Sequence, residues 1–176
     1  MKKIFALIIL TFSFSALAFT EEEKTLIRDV VNAEPSISSC VTAGDDGCVA
    51  NWLNAVSTFV AWRSRVSDTE IYADEGFNFA LVDGLSSGKR DEWKDFLFKS
   101  GFCNPSKSNI RAGIIDVWSG NAARVAVQDA IFALFKRNAT NLEEILATGI
   151  GTDADPGILT FEGSIQVGQV GNILRP

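Results

Sequence analysis

Histidine is absent from this sequence. That absence removes Ser-His-Asp and Cys-His catalysis, His-ligated zinc and the ordinary general base of neutral pH in one step. Cysteine is scarce, with three residues in 176, one short of a four-ligand structural zinc site even if all were free. Cations are the minority, 16 Lys and Arg against 22 Asp and Glu. A chain of that sign matches neither phosphate backbones nor anionic lipid, so nucleic acid is not expected as a partner. There is also no apolar run of the roughly 20 residues that a membrane-crossing helix needs; the longest covers residues 4 to 17.

That run has the makings of an export signal. Lys2 and Lys3 form a positive n-region, residues 4 to 17 an apolar h-region, and Ala16-Leu17-Ala18 the small-x-small pattern before a cleavage site between Ala18 and Phe19. The alternative is an uncleaved hydrophobic N-terminal helix, either membrane-attached or buried in an assembly. Cleavage leaves no stable membrane anchor, and it leaves residues 19–176 as a single domain at a net charge of −8, two lysines fewer than the whole chain's −6. With 47% of the whole chain apolar, that length is enough to bury a core.

Export to an oxidising compartment changes how the cysteines read, because disulfides persist there. Cys40 and Cys48 flank Thr42-Ala43-Gly44-Asp45-Asp46-Gly47, a turn-rich segment that brings them together and leaves Cys103 unpaired. Three buried thiols acting as small hydrophobes are the other reading.

Helical signals dominate. Capping boxes begin at Thr20, Ser67 and Thr140, each with a glutamate three residues on, and Asp45 or Asp46 caps a helix carrying Val49, Trp52, Leu53 and Val56. From Ser87 to near Gly101 runs another helix, with Trp93, Phe96 and Leu97 on one face. Ile110, Gly113, Ile114, Val117 and Trp118 follow the i, i+3, i+4, i+7, i+8 template, and a further helix reaches about Asn138. Residues 77–85 read as loop, and Ser164 as the cap of a last helix. Only 59–65 and 158–162 look extended, and an isolated strand cannot satisfy its backbone. The expected fold is therefore mainly α, a compact multi-helix domain with a two-stranded antiparallel ribbon of 59–65 with 158–162.

Chemistry is thin. Asp153-Ala154-Asp155-Pro156-Gly157 opens like a calcium loop, but Gly157 and Ser164 stand where ligands belong, so a plain turn is expected. Asp83, Asp91, Asp116, Asp129 and Glu162 offer carboxylates with nothing to pair them across a cleft. Gly149-Ile150-Gly151-Thr152 lacks a P-loop lysine and reads as a glycine helix stop. Trp52, Trp62, Trp93 and Trp118 read as core, and Arg63, Arg65, Arg111 and Arg137 as structural partners of Asp or Glu. Asn138-Ala139-Thr140 is a glycosylation sequon by pattern. No catalytic residue, metal site or cofactor is expected.

Several segments resemble a family of small proteins encoded by tailed bacteriophages and prophages. They are Trp62-Arg63-Ser64, the run Asn104-Pro105-Ser106-Lys107-Ser108-Asn109-Ile110-Arg111-Ala112-Gly113, and Lys136-Arg137 through Ala139-Thr140 to Glu143. Gly149-Ile150-Gly151-Thr152 with Pro156 and Leu159-Thr160-Phe161-Glu162-Gly163 continue the resemblance, over roughly 40 to 172. It implies a virion or tail-associated structural role, with other virion proteins as partners. The signal and the cysteines depart from that family's pattern. The expectation is a non-enzymatic, phage-derived structural or interaction protein, with an exported periplasmic or secreted binding or inhibitory module as the alternative.

Overall fold

The computed structural model describes residues 19–98 and 101–176, the side chains of 96–98 excepted. The expected signal, residues 1 to 18, lies outside them. Helix α1 (Glu21–Ala33) opens on the foreseen box: the Thr20 hydroxyl accepts from the Glu23 N–H at 3.2 Å, and the Glu23 carboxylate accepts from the Thr20 N–H at 2.8 Å. A 3-10 turn (Pro35–Ile37) and α2 (Ser38–Ala43) follow, closed by Gly44 at φ 68°. Asp45 then caps α3 (Asp46–Asn54) by accepting from the Cys48 N–H at 3.0 Å. The two flanking turns bring Cys40 and Cys48 to disulfide distance, with Cα atoms 5.9 Å apart.

Strand β1 (Val56–Trp62) leads to β2 (Val66–Ser67) and α4 (Asp68–Ala73), which has the expected Ser67–Glu70 box. Next come α5 (Phe79–Asp83), α6 (Ser87–Phe98), β3 (Phe102–Cys103), α7 (Ser108–Trp118) and α8 (Ala122–Leu134). β4 (Lys136–Thr140), α9 (Asn141–Leu146) under the Thr140–Glu143 box, β5 (Gly157–Ile158) and α10 (Val167–Leu174) complete the order.

The fold is mainly α, as expected, but the sheet differs. It has three strands in the order β4-β1-β5. β1 pairs antiparallel with β4, a segment the sequence assigns to the end of a helix, and parallel with the two residues of β5. α8 therefore stops at Leu134, short of Asn138, and the carbonyl of Phe135 accepts from the Arg63 N–H at 2.8 Å as pairing begins. A second, two-stranded sheet joins β2 to β3. Two smaller corrections concern helices: 77–85 contains α5, and α10 is capped by Gln166 rather than by Ser164.

The buried side chains fall into two clusters. Ile27, Val31, Leu53, Leu142, Ile165 and Ile173 centre the first, and Ile71, Trp93, Ile114, Trp118, Ile131 and Phe135 the second. The chain leaves the first core through β1 and returns to it through β4. Ala61 and Ala139, both wholly buried, keep this crossing narrow enough for the flanking layers to close on it.

Candidate functional site

Where β1 ends, its last residue opens a cleft. Trp62 is only half-buried, which corrects its assignment to the core; Trp93 and Trp118 are the buried pair. One wall comes from α7, where Arg111 and Ile115 stand four residues apart and hence on one face. Phe132 of α8, Lys136 at the start of β4, and Asp153, Ala154 and Pro156 from the loop before β5 enclose a cavity of about 290 Å³. Phe132 meets the Trp62 ring edge-on at 5.9 Å. Ile115 is 47% exposed and puts an apolar side chain on the open wall of the cleft.

Two cations face the indole. The Arg111 guanidinium lies 4.6 Å from the Trp62 ring centroid and the Lys136 ammonium 5.8 Å from it. Their surroundings differ. Lys136 donates to the Asp153 carbonyl at 2.8 Å and to its carboxylate at 3.1 Å. Arg111 donates only through Nη1, to the carbonyls of Pro105 at 2.7 Å and Ser106 at 3.0 Å. Its Nε and Nη2 have no acceptor, and no carboxylate pairs with it, among the described residues. Burial accordingly draws its pKa down from the ordinary arginine value with nothing to offset it. Structural pairing of Arg111 with Asp or Glu, the sequence expectation, is replaced by carbonyl anchoring and stacking.

The other arginines behave as expected or nearly so. Arg137 grips Glu143 with both Nη atoms, at 2.7 and 2.8 Å, and approaches Glu162 at 3.5 Å. Glu143, 3% exposed, also accepts from the N–H groups of Thr140 at 2.9 Å and Gly163 at 3.1 Å. Burial pushes its carboxyl up, but the Arg137 fork and the two N–H groups outweigh it and hold the group below the ordinary range. Four donors saturate this carboxylate, which leaves it no lone pair for proton transfer. Glu162 spends an oxygen on the Ser64 N–H at 3.0 Å. Arg63 pairs with Glu70 at 2.7 Å, while Arg65 lies over the Phe102 ring and pairs with no acid among the described residues.

The remaining motifs are turns with work to do in packing. Among the described residues no three His, Cys, Asp or Glu side chains gather to hold a metal; Asp153 turns to Lys136, and the Asp155 carbonyl closes a turn with the Thr152 N–H at 3.1 Å. The expected helix stop at Gly149 lies beyond the end of α9 at Leu146. Gly151, at φ 74°, and Gly157 instead form a slot for the Phe59 ring, which would overlap a Cβ at either position. The Asn138 amide of the sequon donates to the Ser57 carbonyl at 3.0 Å. Cys103 is buried, and desolvation pushes its thiol up to about 12, far from a nucleophile's range. No described helix is long and apolar enough to cross a membrane.

The segments that carry the phage-family resemblance meet around β1 and β4. Trp62 stacks with Arg111, Arg111 holds Pro105 and Ser106, and Arg137 joins Glu143 to Glu162. Comparison with family models, with curated proteins and with solved structures finds no match to this chain.

Proposed function

We propose that this chain is a non-enzymatic structural or interaction protein of phage origin, virion or tail-associated, which works by holding another protein. The observation that carries the reading is the Trp62 cleft, where an aromatic ring, apolar walls and a cation without a carboxylate partner among the described residues stand open together. Such a mixture suits recognition. The best-placed carboxylates, Glu143 and Glu162, are committed to Arg137 and to backbone N–H groups, and this favours a scaffold role for them over acid–base work.

One observation favours a second reading, an exported binding or inhibitory module. Cys40 and Cys48 stand at disulfide distance, and such bonds persist outside the reducing cytoplasm. Mass spectrometry of purified phage particles and of the periplasmic fraction from the same cells separates the two. Peptides of the chain in washed particles support the first. Their absence there, with a chain starting at Phe19 in the periplasm, overturns it in favour of the second.

A further inference from the structure

We infer that the Trp62 cleft is a carboxylate-binding site that takes an acidic group of a partner polypeptide together with the apolar side chain next to it. The inference rests on the reading of this chain as a non-enzymatic interaction protein and names the chemistry its cleft recognises. Arg111 supplies the argument. Its Nη1 is fixed by the Pro105 and Ser106 carbonyls, and its guanidinium carbon lies over the Trp62 ring, 4.6 Å from the centroid. That leaves the Nε–Nη2 edge, a planar pair of parallel donors, without an acceptor among the described residues. A carboxylate fits that edge with two bonds, and little side-chain entropy remains to be lost when it does.

The rest of the cleft adds sign and shape. Asp153 neutralises Lys136 in part, so the cleft keeps one net positive charge within a chain of net charge −6. That local reversal of sign selects for an anion and against the protein's own acidic surface. Ile115 and Phe132 border the cations and offer the apolar contact that a bare inorganic anion would not use. A volume of about 290 Å³ holds one or two side chains, not a folded element.

The test is a titration of the 15N-labelled protein, expressed from the full gene, followed by the side-chain Nε–H of Arg111 and the indole N–H of Trp62. The probes are N-acetylphenylalanine, its neutral amide, and phenyl phosphate. N-acetylphenylalanine is expected to shift both resonances and to saturate in the millimolar range suited to so small a ligand. The amide should shift neither. Arg111→Gln should weaken binding about tenfold or more, as loss of a charge-assisted fork does, whereas Asp153→Asn, which frees Lys136, should tighten it. The wild-type titration stands on its own if Arg111→Gln does not fold. Absence of shifts with N-acetylphenylalanine, equal shifts with the amide, or tighter binding of phenyl phosphate would each overturn the inference. Chemical conversion of a probe would instead overturn the non-enzymatic reading, so the two failures are distinguishable.

Discussion

Arg137→Ala is expected to lower the free energy of unfolding by about 3 to 5 kcal/mol, the range found when one partner of a buried ion pair is removed. The lower end is favoured because Arg137 itself is 31% exposed in its side chain, so part of its charge is already solvated. The loss comes from Glu143, which stays buried with its two N–H donors but without its counter-charge. Arg137→Lys should fall between, since an ammonium keeps the charge but not the two-pronged geometry. Urea unfolding measures both. A wild-type midpoint for Arg137→Ala would show that the cluster carries no buried charge.

The same carboxylate gives the fold an acid limit. The folded-state pKa of Glu143 is depressed, so its contribution is complete above the ordinary glutamate value of 4.5 and fades as pH falls through the lower folded value. Glu70 acts in the same direction. Its carboxyl, held at about 2 by the Ser67 N–H and Arg63, loses its contribution between 4.5 and about 2. Because Glu70 is well exposed, the weight of the acid transition rests on Glu143. Stability that stays flat from pH 6 to pH 3 would contradict this assignment.

Gly151→Ala should be comparably damaging although it adds one methyl group. A non-glycine residue at φ 74° costs about 1 to 2 kcal/mol. The new Cβ also overlaps the Phe59 ring, and forcing a methyl into a packed site costs about 1 to 3 kcal/mol more. Removing the ring as well, in Phe59→Ala with Gly151→Ala, relieves the overlap, so the double variant should cost less than the two single changes together. Strict additivity in a thermal or urea cycle would mean that the ring does not occupy the glycine slot.

What could be read from the sequence was local. The Thr20, Ser67 and Thr140 boxes each close within four residues, and Cys40 and Cys48 are joined by a short turn-rich segment, so the chain itself holds the partners close. β4 could not be read this way. Lys136, Arg137 and Asn138 are poor strand formers that continue the polar rhythm of α8, and they are extended because β1, some 75 residues earlier, needs partners for its backbone groups. The parallel pairing with β5 depends on an even later segment. The cleft was hidden for the same reason, since it draws on five separate stretches of chain. One signal was present in α7: Ile115 sits off the buried stripe of Ile114, Val117 and Trp118 and four residues from Arg111, which puts an apolar side chain and a cation on one face.

Phe19 sets an order of events. It is 8% exposed, with its ring 5.2 Å from that of Phe161, and the next N–H, on Thr20, is already engaged by Glu23. A peptidase needs an extended segment on both sides of the bond it cuts, and a residue seated in the first core cannot be drawn out without opening that core. Were residues 1 to 18 a cleaved leader, its removal would have to come before the first core closes, and a precursor that folded too early would stay uncut. Signal peptidase offered a prefolded precursor and a urea-unfolded one should cleave only the second after Ala18. Equal cleavage would mean that Phe19 enters the core late and reversibly, and that maturation runs without a clock.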